Sequence, residues 1–344
     1  MGTASGIDEA NVTAWMAEHV GACAPMTFEL IAGGRSNLTF RVTDATGLAY
    51  ALRRPPTSHV LPTAHDMVRE HTIITALYPA GIPVAKPLGL CVDPDVNDAP
   101  FYVMEFVEGA ILRDRTEAEA AYDLETRGAI GAHLAATLAQ LHDVDVNEVG
   151  LGNLARHEGY IERQVNRWRT QFEQMKVDGV DHETVVDEVG DALASSIPVQ
   201  QKVAVVHGDY RLDNTVLDEK GEVRAILDWE ICTLGDPMAD VGMLLCYWAE
   251  SGDATESLLG VAPTTAPGFA TRDQVLEAYA KNSDLDLTHV AYYQAFGYWK
   301  LACIMQGVFA RYRAGATAGD RGSVDAYPGH IAMLAELAKR TLEK

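Results

Sequence analysis

His207-Gly208-Asp209-Tyr210-Arg211-Leu212-Asp213-Asn214, followed by Leu227-Asp228-Trp229-Glu230, is the stretch on which the fold turns. Between them, Thr215 to Leu217 and Val223 to Leu227 are apolar, β-like runs flanking Asp218-Glu219-Lys220-Gly221, a hairpin signal. Asn214 and Asp228 lie equally far from Gly221, so a hairpin turning there returns them to neighbouring places at its open end. Adjacent strands run about 5 Å apart, which lets two oxygen ligands share one or two cations. An Asn carbonyl and an Asp carboxylate are hard ligands, of the kind that suits Mg2+ when it also holds nucleotide phosphates. Asp209, five residues before Asn214, faces the same spot from the preceding loop. Taken singly, Asp209, Asp213 and Asn214 are turn formers and Asp228 is a strand-end residue. The whole set at this spacing supplies the carboxylate and the metal ligands that phosphoryl transfer requires.

Upstream, the pattern is strand-rich. Phe28 to Ala32 and Leu38 to Thr43 are β-like and joined by Gly33-Gly34-Arg35-Ser36-Asn37; a third run, Ala49 to Arg53, ends at Pro55-Pro56. Residues 8 to 20 and about 65 to 77 read as helices, and 84–92 and 101–107 as strands separated by a polar turn. After Gly109 the period changes: Ile130, Leu134, Leu138 and Leu141 recur at helical spacing, as do Ile161, Val165, Trp168, Phe172 and Met175. Val203 to His207 is an apolar β run before the hairpin, while Thr288 to Arg313 and Ile331 to Leu342 read as further helices. The expected architecture is α+β, a small antiparallel-sheet lobe joined to a large helical lobe, with the seam near Glu105 to Gly109.

Composition narrows the function. The chain of 344 residues carries 27 Lys+Arg against 49 Asp+Glu, a formal charge of −22. That excludes a phosphate-backbone binder, so no nucleic-acid partner is expected. No apolar run is long enough to span a bilayer and the start lacks a secretory pattern, so no membrane partner is expected either. Cys23, Cys91, Cys232, Cys246 and Cys303 are scattered, without a CxxC pair, which suggests neither a zinc cage nor a disulfide framework. A reduced, cytoplasmic setting follows. There is no fixed-period repeat, and no GxSxG or HExxH motif to suggest a hydrolase.

HGDYRLDN, LDWE and GDPMAD (Gly235 to Asp240) together resemble the signature of the aminoglycoside phosphotransferase-like kinases, relatives of the protein kinases, and the resemblance covers nearly the whole chain. It implies a protein-kinase-like two-lobe fold: a nucleotide-binding lobe, 1–107, ending in a hinge, and a helical lobe, 108–344, with the catalytic loop and the acceptor site. It also implies that Asp209 is the catalytic base, that Asn214 and Asp228 bind Mg2+, and that His207 and Asp240 brace the loop; Asp236, which precedes a Pro, reads from the residues alone as the cap of a helix starting near Met238. The turn Gly33, Gly34, Arg35, Ser36 and Asn37 corresponds to a phosphate-binding loop, where glycines let backbone N–H groups approach phosphates. As a bare pair of glycines between strands it also reads as a plain hairpin turn.

The family places a Lys on the third strand, paired to a helix Glu. Here Glu70 takes the second place, but the strand reads Tyr-Ala-Leu-Arg-Arg, putting Arg53 where Lys would stand, with Arg54 as the fallback. Arg keeps the charge on a larger, differently aimed fork. FYVMEFVEG resembles the kinase hinge, which would set Met104 beside adenine and direct the Glu105 carbonyl and the Val107 N–H to its edge.

The reading is an ATP- and Mg2+-dependent phosphotransferase acting on a hydroxyl of a small molecule. LRRPP, GYIERQVNRW (Gly159 to Trp168) and HGDYRLDN resemble the kinase-like domains found alone or fused to acyl-CoA dehydrogenases. That resemblance implies a hydroxyacyl-CoA-like acceptor, the general family an aminoglycoside-like one; Arg163, Arg167, Arg169 and Arg211 would suit an anionic CoA ester, acidic side chains in the helical lobe would suit an aminoglycoside, and solvated helix faces account for the arginines equally well. The competing reading, drawn from the missing strand Lys, is a nucleotide-binding pseudokinase that acts through partners. Oligomeric state is not legible.

Overall fold

The computed structural model describes residues 6–32, 37–57, 66–177, 179–180, 183–256, 262–315 and 326–344. Its first part is a five-stranded antiparallel sheet of β1 (Thr27–Ala32), β2 (Leu38–Thr43), β3 (Ala49–Arg54), β4 (Pro87–Cys91) and β5 (Phe101–Glu105), in the spatial order β1-β2-β3-β5-β4. Phe40 pairs with Leu52 and Leu52 with Val103, so one apolar row crosses three strands. That row, with Phe101, packs against Val12 and Met16 of helix α1 (Glu9–His19). Side chains alternate across a strand, so Tyr102 faces the other way, toward Ile73, Ile74 and Leu77 of α2 (Met67–Leu77). Each fully buried aliphatic or aromatic side chain in such a row contributes roughly 1.5–3 kcal/mol. Asp8 and Asp66 accept the free N–H groups that start the two helices, from Asn11 and Arg69.

The second part is mostly helical: α3 (Arg115–Ala121), α4 (Leu124–Asp143), α5 (Tyr160–Gln174), α6 (Glu183–Ser195), α7 (Met238–Tyr247), α8 (Arg272–Lys281), α9 (Val290–Arg313) and α10 (Tyr327–Leu342). Between α6 and α7 lie two short antiparallel pairs, β6 (Ala204–Val206) with β9 (Thr233–Gly235) and β7 (Thr215–Leu217) with β8 (Val223–Ile226). The β7-β8 turn needs Gly221: its φ is +74°, and a Cβ there would come within 2.6 Å of Ile130 on α4. Ala110 and Leu217 exchange two backbone hydrogen bonds of 2.8 Å, tying the chain just beyond β5 to this hairpin. A small antiparallel-sheet lobe and a larger helical lobe make the two-lobe arrangement of protein kinases.

Several boundaries differ from the sequence reading. β5 stops at Glu105 instead of running to 107, β4 is confined to Pro87–Cys91, and β3 continues through Arg54. Strand β9 was not expected, since three residues, Thr-Leu-Gly, are too few to show a period; its partner β6 supplies the ladder.

Candidate active site

Asn214 and Asp228 flank the open end of the β7-β8 hairpin, where the Leu227 N–H donates to the Asn214 carbonyl at 2.8 Å. Asn214 Nδ2 reaches back to Asp209, donating to its carbonyl and to its Oδ2, both at 2.9 Å. The Asn214 Oδ1 makes no hydrogen bond among the described residues. Asp228 has φ +61°, the one left-handed non-glycine residue among those described. Asp tolerates that region better than most residues, and such strain, about 1–3 kcal/mol, concentrates at functional sites.

The loop is braced from below. The Asp240 carboxylate accepts from the His207 N–H at 2.6 Å and the Gly208 N–H at 2.8 Å, and faces His142 Nε2 at 3.4 Å. Burial pushes this carboxyl up, but His142, His207 and the Gly208 N–H outweigh burial and hold it below its ordinary range. His207 Nδ1 accepts the Asp209 N–H at 3.3 Å while Nε2 lies 2.8 Å from the Leu227 carbonyl, so the ring carries its proton on Nε2. It thereby links the loop to the segment leading to Asp228. Asp236 accepts from the Met238 N–H at 3.0 Å and the Tyr293 hydroxyl at 2.6 Å, where α7 begins.

On the sheet side, Arg53 Nε donates to Glu70 Oε2 at 2.8 Å and Nη2 to Asp228 Oδ1 at 2.5 Å, with Thr39 Oγ1 3.3 Å from Nη1 and Glu230 Oε2 3.9 Å from Nη2. Burial opposes the charge on Arg53, but Tyr102, Glu70, Asp228 and Glu230 more than restore it. Burial pushes the Glu70 carboxyl up to about 7, against the pull of Arg53 and the Tyr102 hydroxyl and with the help of Asp228 and Glu230. Arg54, the fallback, is ruled out: it lies on the opposite face of β3, where it bonds the Pro55 carbonyl and Asp98, each at 2.9 Å. Asn37 Nδ2 bridges Glu70 Oε1 at 2.8 Å and Glu230 Oε2 at 3.2 Å, and its buried Oδ1 has no partner among the described residues. Gly33, Gly34, Arg35 and Ser36 lie outside the described residues. Met104 is half-buried against the larger of the two hydrophobic clusters, Glu105 is exposed, and the Val107 N–H has no partner among the described residues.

Two contacts to the loop carry no motif. The Tyr247 hydroxyl donates to Asp209 Oδ1 at 2.7 Å, and Lys300 Nζ donates to the Gly208 carbonyl at 3.1 Å. Lys300 had a signal available, as the only Lys, Arg, Asp or Glu between Val290 and Ala310. A cavity beside Tyr247 is lined by apolar side chains, Leu112, Leu244, Trp248 and Leu301 among them, and also by Arg113 and Arg211. Arg211 is paired with Asp213 and lies 4.7 Å over the Tyr247 ring. Of the other arginines considered for an anionic acceptor, none lines this cavity: Arg163 bonds the Arg156 carbonyl at 3.0 Å, Arg169 pairs with Asp191, and Arg167 lies 5.6 Å over Trp168.

Among the described residues no three His, Cys, Asp or Glu side chains converge into a metal cage. Asn214 and Asp228 sit at the two ends of the hairpin, and the chemistry of a side-chain amide oxygen and a carboxylate fits a hard cation completed by phosphate and water oxygens. No helix among the described residues is long and apolar enough to cross a membrane.

Such a two-lobe fold, with Asp, Asn and Asp gathered at one hairpin mouth, defines the class of kinase-like small-molecule phosphotransferases. Residues 27–274 match the model of the family described as "Phosphotransferase enzyme family". A solved structure from Ralstonia eutropha, described as "a putative aminoglycoside phosphotransferase", is 31% identical, with a TM-score of 0.81 over 97% of this chain and 98% of that one. The chain belongs to this phosphotransferase family. Acyl-CoA dehydrogenase family member 10 of Mus musculus is 33% identical over 87% of this chain and 28% of that protein. Family member 11 of Gallus gallus is 34% identical over 90% of this chain and 39% of that protein, so the chain spans well under half the length of these curated relatives. An amicoumacin kinase solved with AMP-PNP and Ca2+ shares the fold at 20% identity, with a TM-score of 0.61 over 98% of this chain and 94% of that one.

Proposed function

We propose that the protein transfers the γ-phosphoryl group of ATP, with Mg2+, to a hydroxyl of a small molecule in the cleft between 1–107 and 108–344. The observation that carries the proposal is the convergence of Asp209, Asn214 and Asp228 at the mouth of the β7-β8 hairpin, with Arg53 reaching Asp228 from the other lobe. Asp209 orients the acceptor hydroxyl and takes its proton as the new O–P bond forms and the bond to the β–γ bridging oxygen breaks, releasing ADP. Asn214 and Asp228 would hold Mg2+, which would supply neutralisation of phosphate charge. Arg53, fixed by Glu70, would grip the α- and β-phosphates, and Gly33, Gly34, Arg35, Ser36 and Asn37 would contribute to their binding. Met104, the Glu105 carbonyl and the Val107 N–H border adenine. Because Arg53 makes the bond to Glu70 that the strand Lys would make, its presence no longer favours a pseudokinase.

The cavity beside Tyr247 supports an acceptor with an apolar body. A polyamine would need unpaired carboxylates, and the one carboxylate among the described residues of that wall, Asp213, is paired with Arg211. A hydroxyacyl-CoA-like acceptor therefore fits better than an aminoglycoside-like one, in keeping with the names of the curated relatives. Five free thiols, four of them buried, support a reducing, cytoplasmic setting.

Asp209→Asn tests the proposal. Turnover should fall by about 10²- to 10⁴-fold while calorimetry shows ATP·Mg2+ still bound. Undiminished ADP release by the variant would refute it. Stimulated ADP release with hydroxyacyl-CoAs and none with aminoglycosides identifies the acceptor class; the reverse result overturns that part.

A further inference from the structure

Two side chains outside the motifs, one on α7 and one on α9, reach the loop that carries Asp209. Tyr247, at the end of α7, bonds Oδ1 at 2.7 Å, and Asn214 bonds Oδ2 at 2.9 Å, so both carboxylate oxygens are held. Lys300, on α9, bonds the carbonyl of the preceding residue, Gly208, at 3.1 Å. Lys300 as a residue is 7% exposed, and its ammonium lies 5.9 Å over the Trp168 ring. Burial pushes Lys300 down; attraction to Asp209 and Asp240 opposes this, and Arg167 adds to it. A buried charge is a poor device for stability alone, since an apolar side chain of similar volume usually serves as well or better. Burial and the facing Asp209 keep the Tyr247 phenol protonated, hence a donor.

The crossing of α7 and α9 sets both groups at one point. A Cβ on Gly242 would come within 2.3 Å of the Tyr293 carbonyl oxygen, and one on Gly297 within 2.7 Å of Cys246 Sγ and 3.4 Å of the Gly242 carbonyl oxygen. The helices thus approach backbone to backbone, closer than side-chain ridges normally allow. Tyr247 follows Gly242 by five residues and Lys300 follows Gly297 by three, so this contact governs where each tip lands.

We infer that Tyr247 and Lys300 are positioning residues for phosphoryl transfer, a two-point clamp held by the Gly242–Gly297 contact that fixes the Asp209 carboxylate and its loop. The inference rests on the reading of Asp209 as the base.

The test compares Tyr247→Phe, Lys300→Gln, their double variant and Asp209→Asn, reading ADP release from ATP·Mg2+ with water as the acceptor, alongside calorimetric nucleotide affinity and stoichiometry. Each single variant should lose about 10-fold or more in kcat, with nucleotide KM and affinity within about twofold. The double variant should lose less than the product of the singles, because both act through one group. Lys300→Arg, which keeps the cation and the donor, should recover part of the loss, and it stands in if the Gln variant does not fold. Wild-type kcat in Tyr247→Phe and in the Lys300 variant, or kcat lost only in step with nucleotide-binding sites, overturns the clamp. Activity retained by Asp209→Asn would instead refute the underlying reading of the base.

Discussion

Arg53 Nε and Glu70 Oε2 stand 2.8 Å apart, and the same guanidinium reaches Asp228 Oδ1 at 2.5 Å, so one side chain joins strand β3, helix α2 and the segment after β8. A fork can hold two carboxylates at once, whereas an ammonium is a point charge on a flexible stem. Arg53→Met should raise the KM for ATP by about 10-fold or more and, by leaving Glu70 buried without its cation, lower stability by about 3–5 kcal/mol. Arg53→Lys should fall between. Steady-state kinetics and urea unfolding check both, and a Met variant with unchanged KM would remove Arg53 from the nucleotide site.

Asn214 spends its amide N–H bonds on Asp209, which leaves the carbonyl oxygen for a cation. Asn214→Ala should therefore shift Mg2+ activation to about 10- to 100-fold higher concentration, on the scale by which lost site residues weaken metal sites. Chelation of Mg2+ should stop turnover in the parent protein. Identical Mg2+ titrations for variant and parent would exclude Asn214 as a ligand.

Asp240 satisfies two buried backbone N–H groups, those of His207 and Gly208. Asp240→Ala strands both, at about 1–3 kcal/mol for each unsatisfied group, and slackens the loop carrying Asp209. A loss of about 2–5 kcal/mol in denaturant unfolding, together with reduced turnover, is expected. Asp236→Asn, which keeps an acceptor for the Met238 N–H at the start of α7, should cost less; equal losses would contradict a special role for the loop brace.

Asp44, between β2 and β3, offers a pH test. Its carboxylate accepts from the Thr46 hydroxyl at 2.6 Å and from the backbone N–H groups of Cys23, Thr46 and Leu48 at 3.0, 2.8 and 3.1 Å, and these bonds hold it down to about 2. A carboxyl whose folded value lies below its unfolded value adds stability that is fully present above the unfolded value. That stability is lost as pH falls from about 4 toward 2. Asp44→Asn should melt lower at pH 7 and show a shallower loss of stability across that window; parallel melting curves for the two proteins would negate the assignment.

The hairpin centred on Gly221, the alternating strands before it and the helical period after Gly109 were legible because pleat, turn chemistry and helical pitch are properties of neighbours in sequence. Asp209, Asn214 and Asp228 could be grouped for the same reason, as a turn brings its own flanks together. Strand β9 and the true end of β5 were not, since they depend on partners distant along the chain.

The amino-acid order alone determined that three oxygen-bearing side chains meet at a hairpin mouth and that a sheet precedes a helical lobe. Tertiary structure decided which of the adjacent arginines faces the cleft, sending Arg53 to Glu70 and Arg54 to Asp98. It also brought Tyr247 and Lys300 to one loop. Both outcomes follow from which face packs and how closely two helices cross, quantities fixed by contact between distant segments that no local spacing records.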